Sequence, residues 1–224
     1  HRSDFIAVDR AVEAGKLANM PVMVDFGGAI PRLSIEDLFM NRLRPGDIFT
    51  HTYGELVKTK ETIVDVETRQ LKPFVLSARD RGIIFDVGHG GGSFAFSQAV
   101  PAAKAGFYPQ TISTDLHTGS MNSAMKDMLN VMSKFLALDM GLEEVVKAST
   151  WSPAVAIQRE ELGHLSPGAI ADIAVLNLRE GQFGFYDVAR NKMQGKHLLE
   201  CEMTIKGGRI VYDLNAMSMP LWSE

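Results

Sequence analysis

The sequence has 224 residues and a single cysteine, Cys201, so an internal disulfide and a zinc site built from several cysteines are both excluded. Cys201 lies in a strand-like stretch, which predicts a small buried apolar side chain. The longest apolar runs fall far below the roughly 20 residues that cross a bilayer, so we predict no membrane span. The formal net charge of −4 and the lack of a basic run argue against a nucleic-acid partner.

Several catalytic motifs are also missing. The sequence has no GxSxG elbow, and its one cysteine lacks a partner signature, so nucleophilic serine or cysteine catalysis is not supported. The stretch GHGGG at residues 88–92 lacks both the spacing of a dinucleotide fingerprint and the lysine of a P-loop. The first residue is His1 rather than Met, so we expect a processed, truncated or incomplete chain. The compartment stays open between cytoplasm and periplasm.

Four apolar, β-branched runs are the main positive feature. They are PVMVDFG, GDIFTHTYG, GIIFDVGHGGG and TISTDLH, at residues 21–27, 46–54, 82–92 and 111–117. Each run is bounded by Gly or Pro and is followed by helix-like sequence, which predicts consecutive βα units in a parallel α/β fold. An eight-unit barrel needs about 250 residues, and only four units fit here. We therefore predict the second half of a TIM-like barrel over residues 1–160.

Helices and a second kind of sheet complete the predicted fold. Helices are expected at residues 7–19, 35–43, 72–81, 94–105, 121–138, 143–150 and 153–158, with Ser34 as the N-cap of the second. Pro101 predicts a break in the fourth of these, or two short helices in its place. Residues 161–224 form a β-rich segment with a strand at 171–178 and a hairpin around Gly207 and Gly208. These strands predict a small separate β layer.

Two residues that end the runs are the leading candidates for chemistry. The carboxyl ends of parallel barrel strands open onto one face, so side chains there are expected to converge. His51 ends the second run and can offer a nitrogen to zinc, or it can be a structural histidine hydrogen-bonded in a loop. Asp115 ends the fourth run and can hold a metal and accept a proton from water. The alternative for Asp115 is an N-cap of the following segment.

Four further residues are assigned to the same rim. Glycines around His89, including Gly90, allow the backbone to approach a ligand closely, so we predict a substrate-side loop in which His89 contacts an anionic group. A flexible turn is the alternative for this loop. Asp25 can ligate a metal, bind a ligand or cap a helix, and these options remain open. His117 lies two residues beyond Asp115, on the same side of an extended strand, and is placed with the substrate-binding residues.

The four runs, together with MSKFLAL and LGHLSPGAIADIAVLNL, resemble the amidohydrolase superfamily, and within it the dihydroorotase-like amidohydrolase/deacetylase family. The resemblance extends from residue 21 to residue 178, and the C-terminal hairpin also fits. It implies a distorted (β/α)₈ barrel that carries one or two divalent metal ions, usually zinc. It also implies that residues 161–224 belong to the small β-domain of such proteins.

The resemblance further implies a set of metal ligands. In the family these are an HxH pair on the first strand, a carboxylated Lys on the fourth, a His on the fifth, a His on the sixth and an Asp on the eighth. His51 then matches the sixth-strand ligand, Asp115 the eighth-strand proton acceptor, and His89 a substrate-side position. Asp25 stands where the family has its fifth-strand His, and a carboxylate can also coordinate a metal. No HxH occurs in the sequence, so the missing half-barrel is expected from another segment or a partner chain.

These expectations define one leading function and its rivals. The leading function is metal-dependent hydrolysis of an amide or ester bond in a small molecule, with metal-activated water and Asp115 as general base. One rival is a catalytically incomplete fragment or a non-catalytic binding protein on the same fold, motivated by the missing HxH and by Asp25 in place of His. Another, within enzymes, is a hydrolase of cyclic imides or nucleobases.

Overall fold

A three-stranded parallel sheet forms the first layer of the protein. The computed structural model describes residues 4–55 and 58–223, and the strands of this sheet are β1 (Met23–Val24), β2 (Ile48–Phe49) and β3 (Ile84–Phe85). They are ordered β1-β2-β3 and pair in parallel. A parallel bridge between Asp86 and Thr111 adds the start of the fourth predicted run at the edge of β3. The order of the predicted βα runs is therefore kept, although the regular pairing in each run is short.

Helices connect and follow these strands. They are α1 (Ile6–Ala18), α2 (Ile35–Asp37), α3 (Pro73–Asp80), α4 (Phe96–Lys104), α5 (Met128–Ala137), α6 (Leu142–Ser149) and α7 (Trp151–Ala156). α2 continues as a π-helical turn at Leu38–Arg42. Ser34 caps α2, because its hydroxyl accepts a hydrogen bond of 3.2 Å from Asp37 N, as the sequence predicts. Within residues 4–55 and 58–223, no helix is both long and apolar enough to cross a membrane.

Two helix predictions were wrong in detail. α4 runs unbroken through Pro101, because Ala99 and Ala102 on either side of it pack into the core and compensate the lost backbone hydrogen bond. The helix expected from residue 121 begins only at residue 128, since the Asp127 side chain caps it by accepting a bond of 2.7 Å from Asn130 N. The residues before that cap form turns.

A three-stranded antiparallel sheet forms the C-terminal layer. Its strands are β4 (Ile173–Tyr186), β5 (Lys192–Lys206) and β6 (Arg209–Asp213), in the order β4-β5-β6. The hairpin predicted around Gly207 and Gly208 is confirmed, and both glycines have positive φ angles of 55° and 76°. β4 and β5 extend beyond the predicted strands, because residues up to Tyr186 pair with residues from Lys192 onward.

The two layers share one core. β5 packs on α5, where Leu199 N donates a hydrogen bond of 2.9 Å to Ser133 Oγ. The Asp187 carboxylate accepts a hydrogen bond of 2.9 Å from Phe96 N at the start of α4. Phe185 at the end of β4 is buried in the same apolar cluster as the strands of the parallel sheet. The antiparallel sheet is therefore firmly attached to the parallel layer, and a domain boundary at residue 160 stays a prediction.

Candidate functional site

The carboxyl ends of β1 and β2 place two polar side chains side by side. Asp25 directly follows β1, and His51 lies two residues beyond β2. His51 Nε2 is 3.5 Å from Asp25 Oδ1. The carboxylate of Asp25 is largely exposed, whereas the His51 ring is mostly covered. The structure thus brings together two of the residues that the sequence assigns to a metal.

His51 is held in one tautomer. Its Nδ1 lies 2.6 Å from Gly88 O, and because a carbonyl only accepts, Nδ1 carries the proton. The lone pair of the neutral ring is then on Nε2, which faces Asp25. A histidine that donates one ring N–H to a backbone carbonyl and offers the other nitrogen is the usual arrangement of a metal ligand.

Asp115 lies on the other side of the glycine loop. Its carboxylate packs so closely on Gly90 that a methyl group there would overlap Oδ2. Gly90 N donates a hydrogen bond of 2.9 Å to Thr114 O, which holds the loop against the Asp115 segment. Ser120 Oγ donates a bond of 3.0 Å to Asp115 O. Asp115 itself is exposed, so its carboxylate is open to solvent and to a ligand.

His117 lies beside Asp115 on the same loop. Its Nδ1 accepts a hydrogen bond of 3.1 Å from Gly119 N, and its Nε2 faces Gly91. Because Nδ1 accepts, Nε2 carries the proton of the neutral ring. The ring is exposed and presents an N–H donor next to the glycine loop. The structure therefore places both Asp115 and His117 along residues 88–92.

Sequence reasoning missed a buried carboxylate beneath this rim. Asp86 accepts hydrogen bonds of 2.6 Å from each of three hydroxyl groups, those of Thr50, Thr111 and Ser113. Ser113 Oγ also accepts a bond of 2.9 Å from Gly88 N. Asp86 therefore ties together the ends of three adjacent strands and the start of the glycine loop. The available signal was a charged residue inside the otherwise apolar run IIFDVG.

Lys60 is a second group that sequence reasoning missed. Its amino group lies 3.4 Å from His51 O and 5.1 Å from the centre of the Phe49 ring. Burial lowers the pKa of Lys60 to about 8, while the Asp25 carboxylate acts in the opposite direction. It lies in the long loop after β2, where a single lysine in a charged stretch gives no distinguishing signal.

His89 does not lie where the predicted substrate contact requires. Its ring is fully buried and stacks on Phe94 with centroids 4.7 Å apart. Nδ1 lies 2.9 Å from Gly90 O and Nε2 lies 2.7 Å from Lys134 Nζ, so both nitrogens bond within the protein. Burial and, second, the Lys134 charge lower the pKa of His89 to about 4. The ring is therefore enclosed and neutral near pH 7, and its contact with an anionic group of a substrate stays a prediction.

The donors present fit part of a metal site. Among residues 4–55 and 58–223, no group of three or more His, Cys, Asp and Glu is close enough together to enclose an ion. His51 Nε2 and the Asp25 carboxylate are adjacent, accessible, and of the type that binds zinc. Asp115 offers a further carboxylate from the neighbouring loop.

Comparison with known proteins gives the family. Residues 93–211, more than half of the chain, match the amidohydrolase family. The chain belongs to the amidohydrolase family. This amidohydrolase chain is 34% identical to a deacetylase of Agrobacterium fabrum over 198 residues, which cover 88% of this chain and 46% of that protein. It is 29% identical to a deacetylase of Enterococcus faecalis, over 87% of this chain and 51% of that protein.

Solved structures give the same result for the fold. The amidohydrolase chain matches a crystal structure of a dihydroorotase with a TM-score of 0.83 and 30% identity, over 95% of this chain and 56% of that one. It matches a crystal structure of an adenine deaminase with a TM-score of 0.85 and 26% identity, over 93% and 55% of the two chains. The chain thus spans about half the length of these relatives. The resemblance to the superfamily is confirmed.

Proposed function

We propose that this chain forms strands five to eight of a (β/α)₈ barrel in a metal-dependent amidohydrolase. In this proposal residues 1–160 supply half of the barrel and residues 161–224 supply part of the small β-domain. The parallel order β1-β2-β3, with Thr111 bridged to the edge of β3, supports it. So does the match over about half the length of a solved dihydroorotase. The other half-barrel would come from another segment or from a partner chain.

One observation carries the proposal of a metal. His51 donates through Nδ1 to Gly88 O and keeps Nε2 open beside the Asp25 carboxylate. We infer that His51, Asp25 and Asp115 hold one or two divalent ions, zinc being the usual choice for such donors. An ion held by these residues would supply polarisation of a carbonyl group and acidification of water at neutral pH.

Residues of the chain carry out proton transfer and substrate positioning in this proposal. Asp115 accepts the proton of the attacking water and returns it to the leaving nitrogen or oxygen as the acyl bond breaks. The Asp115 carboxylate packs against Gly90, and Gly90 N donates a hydrogen bond to Thr114 O. The exposed His117 N–H lies on the substrate side of the same loop. The deacetylase names of the relatives favour an acyl group on a nitrogen or oxygen of a small molecule.

Replacing Asp115 by Asn in the full-length gene product tests the proposal. We expect turnover to fall by about 10²- to 10⁴-fold, because general-base catalysis is lost while the shape is kept. Asp139→Asn is a matched control, since Asp139 is also exposed and has a similar positive φ, 64° against 48° for Asp115. Unchanged hydrolysis in Asp115→Asn, with circular dichroism and urea unfolding like the control, rules out this role.

The rival functions are separated by two measurements. A stoichiometric divalent ion in the purified full-length protein supports the enzyme and argues against a metal-free binding protein. A panel of N-acyl amino acids, acylated hydroxy acids and cyclic amides then distinguishes the deacetylase from the cyclic-amide hydrolase. Cyclic amides are the substrates to expect if the dihydroorotase-like structure extends to function. We expect the acyl compounds to be turned over faster.

A further inference from the structure

We propose that Lys134 is a positioning residue for Asp115, acting through His89 and Gly90 from the buried side of the rim. This inference rests on the proposed function in one respect, the role of Asp115 in catalysis. The contacts between Lys134, His89 and Gly90 do not depend on that role, and hydrogen exchange tests them without an activity assay. Lys134 lies in the stretch MSKFLAL on α5, and the sequence alone assigned it no chemical role.

The amino group of Lys134 has a complete set of acceptors. Lys134 is fully buried, and its Nζ lies 2.7 Å from His89 Nε2, 2.7 Å from Ala124 O and 2.8 Å from Tyr186 O. An ammonium group has three N–H donors, so the three acceptors match it one for one. The acceptors come from the glycine loop, the turn before α5 and the end of β4. Lys134 therefore joins three separate segments at one point.

The direction of these hydrogen bonds follows from the acceptors. Gly90 O only accepts, so His89 Nδ1 carries the proton and donates to it over 2.9 Å. His89 Nε2 then carries the lone pair and accepts from Lys134. Gly90 has a φ of 49°, a conformation in which a glycine is favoured, and its α-carbon lies against the Asp115 carboxylate. Three successive contacts thus lead from Lys134 through His89 and Gly90 to Asp115.

The buried charge is hard to explain by packing alone. Burial lowers the pKa of Lys134 to about 7, with the Asp187 carboxylate opposing and Lys126 adding to that effect. A methionine of similar length would fill the same space beside the Phe94 ring without burying an amine. The amino group is needed where its directed hydrogen bonds fix the orientation of the His89 ring. A ring free to turn would release Gly90 O and loosen the surface on which Asp115 lies.

The test compares two neighbouring residues of α5 in the full-length gene product. Lys134→Met removes the three hydrogen bonds and keeps most of the volume. Ser133→Ala is the matched control, because Ser133 is equally buried but bonds to Leu199 N and Leu129 O and has no route to His89. The measurements are kcat and KM with an acyl substrate and hydrogen exchange of the Gly90 amide.

We expect Lys134→Met to lower kcat by about 10- to 100-fold, as for other groups that orient a reacting side chain, with KM little changed. The Gly90 amide should exchange faster. Ser133→Ala should leave both unchanged, and adding ethylamine to Lys134→Ala should restore part of kcat. Combining Lys134→Met with His89→Gln should cost no more than the larger single effect, because both changes break one relay.

Two results would overturn the proposal. One is an equal loss of kcat in Lys134→Met and Ser133→Ala, which indicates a general effect of helix packing. The other is an unchanged exchange rate of the Gly90 amide in Lys134→Met. If Lys134→Met does not fold, Lys134→Ala, which also lacks the three N–H donors, takes its place with the same criteria.

The failure of the proposed function would look different. Normal turnover in Asp115→Asn together with faster Gly90 exchange in Lys134→Met removes the catalytic role of Asp115 but keeps the positioning of the loop. Lost turnover in Asp115→Asn, together with normal Gly90 exchange and normal kcat in Lys134→Met, keeps the catalytic role of Asp115 but removes the positioning role of Lys134.

Discussion

Asp86 allows a quantitative prediction, because its carboxylate is buried and accepts three short hydroxyl hydrogen bonds. A hydrogen bond to a charged group contributes about 1.5–3 kcal/mol and a neutral one about 1 kcal/mol. In Asp86→Asn the amide oxygen can replace Oδ2 and keep Thr50 and Ser113 as neutral partners, while the bond from Thr111 is lost. We expect the free energy of unfolding to fall by about 2.5–7 kcal/mol, the difference between three bonds to a charged group and two neutral ones. Asp86→Ala leaves all three hydroxyl groups without this acceptor and should cost about 4.5–9 kcal/mol.

Asp47→Asn is the control for this experiment. Asp47 is also buried and accepts hydrogen bonds from Val22 N and from the backbone and guanidinium of Arg44, but it precedes β2 at the end opposite His51. Both variants should lower the urea midpoint of the full-length gene product. Only Asp86→Asn should speed exchange of the Gly88 amide, whose acceptor Ser113 Oγ is held by Asp86. A stability loss below about 0.5 kcal/mol for Asp86→Asn, or equal exchange in both variants, refutes the reasoning.

Two further predictions concern the glycine loop and acid stability. Gly90→Ala should lower kcat strongly, because the new methyl group overlaps Asp115 Oδ2 and the residue has a positive φ. Gly92→Ala should be tolerated, since no atom lies within 4 Å of its side-chain position. Steady-state kinetics of both variants checks this, and equal activities would contradict it. Burial raises the pKa of Asp47, but hydrogen bonds from Arg44 and Val22 N outweigh it and the net pKa is lowered. A lowered pKa stabilises the folded state above the unfolded value of about 3.9 and the effect is lost as pH falls through the folded value. The difference in unfolding free energy between wild type and Asp47→Asn should therefore shrink below about pH 4, and a constant difference in urea titrations down to pH 2.5 would exclude this contribution.

The sequence predicted the elements that depend on local pattern. The βα order, the cap at Ser34 and the hairpin at Gly207 and Gly208 follow from apolar period and turn residues, and the structure contains them. The proximity of Asp25 and His51 also follows, because parallel strands end at one edge. The boundary of α5 was missed because apolar residues such as Met125 and Met128 lie on both sides of Asp127, whose side-chain cap starts the helix.

The sequence could not reveal contacts between distant segments. Lys134, 45 residues further along the chain, bonds to the buried His89 ring, and no local pattern links the two. The Asp86 network depends on hydroxyl groups from two other runs, each of which is an ordinary strand residue in isolation. The burial of His89 and its bond to Lys134 could therefore be seen only in three dimensions.

The hydrogen bonds of the Asp187 carboxylate have a practical consequence for the design of truncated forms of this protein. One carboxylate oxygen accepts the Phe96 N–H and the other accepts the Asn191 N–H, so the start of α4 and the turn after β4 share one anchor. A recombinant fragment ending near residue 160 would lose that anchor together with Phe185 and Leu199. An apolar face of α5 would then be exposed to water. Inclusion bodies are the outcome to anticipate from such a cut. Substitutions at Asp187 are the gentler way to ask how the two sheets depend on each other.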